Sequence, residues 1–135
     1  MDRIKTSIVL VLVTLALCSL AGGCGGSTLA TLKSDWTGKP VLDNIHPPAG
    51  SVVPVDTCIW FDIYNGYARA QIYTLDEKGR QQPIRCQLFR EKHSNFERQI
   101  YTPTQYLPSR TQIFVEIDYY NSDYRFRHKY SFRTE

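Results

Sequence analysis

The sequence has few of the features that mark enzymes, metalloproteins or nucleic-acid-binding proteins. It carries a single methionine, Met1, and 3 histidines: His46, His93 and His128. It contains no nucleophile-elbow, zinc-protease, P-loop or dinucleotide-binding motif. Its 16 basic and 13 acidic residues nearly balance, whereas nucleic-acid binding requires a clustered basic surface. We therefore expect a protein that is not an enzyme, holds no cofactor or metal, and binds no nucleic acid.

Helical periodicity is also missing, because no stretch of about 11 residues repeats apolar side chains at helical spacing. Instead, short alternating runs are separated by Pro, Gly and Asn, and the chain is rich in tyrosine, with 9 residues. Aromatic and alternating segments of this kind favour strands. Several short strands at regular spacing predict an all-β, antiparallel sandwich of about seven strands over residues 41–135. The predicted strands are residues 57–64, 68–74, 83–90, 96–102, 111–119 and 124–133.

The last two predicted strands keep a period of two for about ten residues, which indicates a hairpin with one buried and one solvated face. Four residues, 120–123, can close it. The register that follows sets each acidic residue of the outer face against a basic one. It pairs Tyr119 with Tyr124, Asp118 with Arg125, and Glu116 with Arg127.

A long transmembrane run is absent as well. The apolar run from Ile8 to Leu20 has only 13 residues, too few to span a bilayer comfortably. A short charged start precedes it and small residues follow it, as in a cleaved signal peptide.

The sequence Ala21-Gly22-Gly23-Cys24 resembles the lipobox of bacterial lipoproteins. This resemblance implies a signal peptide at residues 1–23, cleavage before Cys24, and lipid attached to Cys24, including palmitate. Gly25 directly follows Cys24, and this residue at that position resembles lipoproteins that are sorted to the outer membrane. The resemblance therefore also implies an outer-membrane location, with a periplasmic or surface-facing domain. The alternative is an ordinary secretory signal cut within residues 21–26. Residues 24–40, rich in Gly, Ser, Thr and Lys, are predicted to form a lipidated tether. The role of Trp36 within it is open.

Two cysteines, Cys58 and Cys86, remain in the predicted domain. In an exported protein they favour a disulfide. Such a bridge would close a loop of about 29 residues and stabilise the fold by roughly 3–4 kcal/mol. Two free thiols or a redox pair are the alternatives, although the CxxC spacing of redox motifs is absent.

Four segments, in order, resemble the SbsA-type bacterial Ig-like domains. They are the Pro/Gly turn and Val-Pro-Val-Asp-Thr at 47–57, Ile-Trp-Phe at 59–61, the Tyr-Thr-Pro and Leu-Pro corner at 101–111, and Phe-Arg-Thr at 132–134. Ser109-Arg110 departs from the family, which has Gly there. The resemblance implies an Ig-like β-sandwich that serves as a binding or spacer module, because this family has no single activity.

Candidate contact residues follow from the strand patterns. Trp60 and Tyr64 fall on the strand face opposite Ile59, and Asp62 on the same face indicates that this face is solvated. Lys129 and Arg133 remain unpaired in the predicted hairpin. These four residues are the predicted contacts with a partner.

The predicted function is a membrane-anchored lipoprotein of the cell envelope that acts as a non-catalytic accessory module for a partner protein. The first alternative is a glycan-binding or adhesive surface lipoprotein, because exposed aromatic side chains can stack on sugars. The second is a periplasmic metal binder. His46 and the turn after it loosely resemble CopC-like copper-binding sandwiches, but the sequence lacks their ligand set.

Overall fold

The computed structural model describes residues 38–135. The predicted signal peptide, the lipidation site Cys24 and most of the predicted tether, including Trp36, lie outside the described residues. No helix within residues 38–135 is long and apolar enough to cross a membrane.

Nine strands in two sheets make up the described part of the chain. They are β1 (Val41–His46), β2 (Val52–Val53), β3 (Ile59–Tyr64), β4 (Tyr67–Leu75), β5 (Gln81–Pro83), β6 (Cys86–Lys92), β7 (Phe96–Pro103), β8 (Gln112–Tyr120) and β9 (Arg125–Thr134). One sheet has the order β1-β3-β7-β6, and the other has the order β2-β9-β8-β4-β5. All neighbouring strands are antiparallel except β2 and β9, which are parallel.

This strand order is that of an immunoglobulin-like sandwich. β1, β3, β7 and β6 take the places of strands A, B, E and D, and the second sheet follows the order A′, G, F, C, C′. The predicted all-β, Ig-like sandwich is therefore confirmed. The structure has nine strands rather than about seven, because it adds β1, β2 and β5 to the six strand segments that the sequence predicts. Two of these, β2 and β5, are too short to leave an alternating pattern.

The core lies between the two sheets and consists of every second residue along the strands, the ones whose side chains point inward. Each sheet contributes a set of apolar side chains that are completely or almost completely buried. The four-stranded sheet supplies Ile59, Phe61 and Ile63, and the five-stranded sheet supplies Ile113, Val115, Ile117 and Phe132. The period of two in the sequence thus identifies most of the core correctly.

A buried polar network also joins the two sheets. Gln99 on β7 is 1% exposed, and its Nε2 donates to the Ala68 carbonyl on β4 at 3.0 Å. The Tyr101 hydroxyl donates to Gln99 Oε1 at 2.9 Å and accepts from the Ala70 backbone N–H at 3.1 Å. Because these groups satisfy one another, the network holds the sheets together without an unpaired polar atom at this point.

The β8–β9 hairpin has the predicted faces but a different register. Tyr120 pairs with Arg125 and Tyr119 with Phe126, so each residue of β8 faces a residue two places further along β9 than predicted. The cause is the turn. Asn121 Oδ1 accepts from the backbone N–H groups of Asp123 and Tyr124, at 2.9 and 3.0 Å. The four-residue loop therefore starts at Asn121 rather than at Tyr120.

The predicted Cys58–Cys86 disulfide is not present in the structure, where both cysteines are free thiols. Cys58 directly precedes β3, and Cys86 begins β6, so β7 lies between them in the sheet. Strands two places apart are separated by roughly 9–10 Å, whereas a disulfide needs Cα atoms about 4.4–6.8 Å apart. Sequence spacing contains no information on this intervening strand.

Candidate functional site

The outer face of the four-stranded sheet carries a row of apolar and aromatic side chains that crosses all four strands. His46 of β1 pairs with Trp60 of β3, Trp60 pairs with Ile100 of β7, and Ile100 pairs with Phe89 of β6. Directly paired residues point to the same face, so these four side chains form one continuous line, called here the Trp60 row. Phe89, at its end, is 58% exposed.

A charged row runs beside the Trp60 row. Asp62 of β3 pairs with Arg98 of β7, and Arg98 pairs with Glu91 of β6. The Arg98 guanidinium donates to Asp62 through Nε at 2.8 Å and through a second nitrogen at 3.0 Å. Asn44 Nδ2 adds a third hydrogen bond to the same carboxylate at 2.8 Å.

The environment of Asp62 corrects one expectation from the sequence. Asp62 lies on the outer face as predicted, but it is completely buried, so it does not mark a solvated face. The loop of β1 around Asn44 covers it, and this residue has a left-handed backbone with φ of 50° at the irregularity between Asp43 and His46. The hydrogen bonds to Asp62 raise the pKa of the Arg98 guanidinium. This pair is thus a bidentate ion pair between a buried carboxylate and a partly exposed guanidinium.

Trp60 is half-buried and held by two neighbours. The Arg98 guanidinium carbon lies 4.2 Å from the centroid of the Trp60 ring, and the His46 ring stacks on Trp60 at 5.4 Å with an interplanar angle of 21°. Arg98 therefore contacts both the buried carboxylate of Asp62 and the indole. The result is an aromatic side chain whose orientation is set by the sheet before any ligand arrives.

Tyr64 is placed differently from the prediction. It lies on the same outer face as Trp60 but is only 3% exposed, and it packs on Phe96 at 5.2 Å between ring centroids. Burial raises the pKa of its hydroxyl. Phe96 in turn stacks on His93 at 4.4 Å. Tyr64 is thus a packing residue of the outer face rather than an exposed contact.

The other two candidates, Lys129 and Arg133, lie on the outer face of the five-stranded sheet. Lys129 is not unpaired as predicted, because the two-residue difference in register sets it opposite Glu116, with the ammonium 3.2 Å from the carboxylate. Arg127 binds Asp118 at 2.7 Å beside it. Arg133 is exposed and makes no ion pair with any residue of the described part. The structure therefore separates the four candidates into two pairs on opposite faces of the sandwich.

Sequence reasoning missed most of the Trp60 row. Phe89 and Ile100 of this row, and Arg98 of the charged row, lie in predicted strands, but nothing in their spacing shows that they neighbour Trp60. The sequence does contain one sign of this surface, the adjacent pair Leu88-Phe89 in a strand whose other residues, apart from Cys86, are polar. An apolar pair in such a strand exposes at least one of its members, since neighbours point to opposite faces.

Two further features bear on chemistry. An open cavity of about 520 Å³ lies between the segment after β2 and the segment after β7, lined by Val55, Asp56 and residues 102–106. The titratable side chains of its lining are Asp56 and Tyr106. Within residues 38–135, no group of three or more His, Cys, Asp or Glu side chains is arranged to hold a metal ion.

The chain was compared with protein-family models and with curated proteins, and none of them matches it.

Proposed function

We propose that this protein is a lipoprotein of the cell envelope whose β-sandwich acts as a non-catalytic binding module for a partner protein in an envelope complex. The contact surface is the outer face of the four-stranded sheet. The observation that carries the proposal is the Trp60 row, in which aromatic and apolar side chains form a continuous line across all four strands.

The composition of this face supports a protein partner. Protein interfaces are enriched in Trp, Phe and Arg, and their energetic centres are side chains that are already held in place. Trp60 and Arg98 meet this description, because Arg98 is fixed by Asp62 and lies against the indole. The exposed ring of Phe89 adds apolar surface at the edge of the same face.

A glycan ligand, the main alternative, is less well supported by the same geometry. Stacking of a sugar requires a free aromatic face, whereas the Trp60 ring is already engaged by the Arg98 guanidinium and by the His46 ring. Specific glycan binding is therefore the outcome that would replace our proposal.

The lipid anchor completes the proposal. Lipid attached to Cys24 would hold the sandwich close to the outer membrane, with residues 24–40 as the connection. Tethering of this kind raises the local concentration of the module for any partner in the same membrane. A moderate affinity of the Trp60 row would then be sufficient for assembly.

The test is affinity capture from crosslinked cells with three forms of the full-length protein: wild type, Trp60→Ala and Tyr106→Ala. Tyr106 is the matched control, because it is an aromatic residue, 80% exposed, outside the Trp60 row. We expect a protein that is captured by wild type and by Tyr106→Ala and is reduced by about tenfold or more with Trp60→Ala. Capture of no protein, together with specific binding on a glycan array, would replace the proposal by the glycan alternative.

A further inference from the structure

Within residues 38–135, the strand β6 lies at one edge of the four-stranded sheet and pairs only with β7. Its other side is an edge seven residues long, Cys86–Lys92, where alternate residues turn their backbone N–H and C=O groups outward. The remaining edges within residues 38–135 are protected. β1 is interrupted by the irregularity at Asn44, β2 has two residues, and β5 has three and ends at Pro83. Long open edges are templates for a further strand, and natural proteins usually block them.

The edge strand also exposes apolar side chains on both faces. Leu88 is 40% exposed and Phe89 is 58% exposed, and as neighbours in a strand they point to opposite sides. Phe89 ends the Trp60 row, while Leu88 shares its face with Tyr101 of β7. An added strand would cover both side chains at once.

We propose that the occupant of this edge is a second copy of the same chain, paired antiparallel along β6, with Phe89 of one copy opposite Phe89 of the other. This pairing uses all seven residues of the strand. Leu88 then faces Arg90, Gln87 faces Glu91, and Cys86 faces Lys92, each across the two-fold axis.

Charge selects this register among the possible ones. Opposed residues in an antiparallel pair share a face, so a symmetric pairing must set one residue against its own copy. An axis at Arg90 would oppose two arginines. An axis at Glu91 would oppose two glutamates and set Arg90 against Lys92. An axis at Leu88 would leave the last two residues of β6 without partners in the strand. Only the axis at Phe89 pairs the whole strand without directly opposed like charges.

The state of Arg90 in the single chain fits the same arrangement. Its guanidinium lies 3.7 Å from Glu97 of β7 and is therefore partly neutralised before a second copy arrives. Leu88 of the second copy would pack on the alkyl part of Arg90. The paired edges would join two four-stranded sheets into one continuous sheet, with the two Trp60 rows meeting at Phe89.

Two substitutions of one residue test the pairing, with full-length protein purified in detergent and analysed by sedimentation. Leu88→Lys sets a like charge against Arg90 of the second copy, and Leu88→Glu sets an opposite charge there; both remove the same apolar side chain. We expect a concentration-dependent dimer for wild type. The dissociation constant of the Leu88→Lys dimer should be about tenfold higher than that of the Leu88→Glu dimer, since the contact occurs twice per dimer.

A photocrosslinking side chain, Phe89→benzoylphenylalanine, provides a second measurement that does not depend on the stability of the dimer in detergent. Irradiation of cells should give a covalent homodimer, and the same side chain at the exposed control position Tyr106 should give none. A wild-type protein that stays monomeric at all concentrations, equal affinities of the two Leu88 variants, or no homodimer from position 89 would each overturn the proposal. Purified protein is used alone in sedimentation, so these outcomes are independent of the partner protein proposed above.

Discussion

Asp62 and Arg98 are the residues whose burial is hardest to anticipate from an alternating strand. A carboxylate on the outer face of a sheet normally meets water, yet Asp62 has a side chain that is 1% exposed, whereas that of Arg98 is 32% exposed. Burial of a charge is tolerated only when its hydrogen bonds are supplied by the protein, here by Arg98 and Asn44. The same guanidinium orients Trp60, so one residue links the stability of the face to its contact surface.

We predict that Arg98→Ala lowers the free energy of unfolding by about 3 kcal/mol, because it leaves a buried carboxylate without its main partner. The control is Arg80→Ala. Arg80 binds Asp76 at 2.8 Å but has a side chain that is 69% exposed, so this change should cost less than about 1 kcal/mol. Urea unfolding of both variants measures the difference. Equal effects of the two substitutions would show that Asp62 does not depend on Arg98.

Tyr130 is the residue in the described part whose buried side-chain oxygen has no hydrogen-bond partner. It is 8% exposed, and burial raises the pKa of its hydroxyl. An unpaired buried hydroxyl costs about 1–3 kcal/mol, so Tyr130→Phe should stabilise the protein by roughly 1 kcal/mol. The hydroxyl pKa is higher in the folded than in the unfolded state. The free energy of unfolding linked to this pKa difference is therefore complete below about pH 10, the ordinary tyrosine pKa, and is lost as the pH rises further.

Unfolding measured at neutral pH and above pH 10 tests both parts of this prediction. Tyr130→Phe should raise the stability at neutral pH and reduce the loss of stability in alkali. A variant less stable than wild type at neutral pH would mean that the hydroxyl makes a favourable contact.

At the scale of elements, register and strand order depend on details that lie outside the strands. The hairpin of β8 and β9 is set by the side chain of Asn121, which accepts two backbone hydrogen bonds inside the loop. Its Nδ2 also donates to the Gly38 carbonyl at 2.8 Å, so the same residue ties the hairpin to the chain before β1. When the loop starts one residue later, every residue of β8 pairs with a residue two places further along β9. Because the shift is even, each side chain stays on its face of the sheet.

The order of the strands leads to a prediction for the cysteines. Because β7 separates Cys58 from Cys86, the melting temperature of the purified protein should be unchanged by a reductant, and denatured protein should show both thiols without reduction. Burial raises the pKa of the Cys86 thiol to about 11, so Cys86 should react slowly with alkylating reagents in native protein near neutral pH. A melting temperature that falls with reductant would reveal a bridge after all.

At the scale of the whole molecule, the proposed lipid anchor would determine the location of the protein, and the sandwich would carry the proposed contact with a partner. We predict that Cys24→Ser abolishes labelling by metabolic palmitate and moves the protein from the membrane to the soluble fraction. The reason is that the lipid on Cys24 is the proposed attachment. Trp60→Ala is the control, because it changes the contact surface and should stay in the membrane fraction. Unchanged fractionation of Cys24→Ser would contradict the lipoprotein assignment.

The sequence by itself determined the class of the fold and most of the core. Strand periodicity depends only on the alternation of side chains along one chain, so Ile59, Phe61, Ile113 and Phe132 could be placed inside without knowledge of the pairing. The short strands, the bulge at Asn44 and the hairpin register could not be placed, because a single turn hydrogen bond or a two-residue pairing leaves no periodic pattern.

Only the tertiary structure decided the composition of the candidate site. Trp60 is visible in the sequence, but its neighbours His46, Ile100 and Phe89 come from three other strands, and strand order is set by packing across the whole sandwich. The same packing buried Tyr64, paired Lys129 with Glu116 and left the Leu88-Phe89 edge open. These outcomes depend on contacts between residues far apart in the chain, which local sequence patterns do not contain.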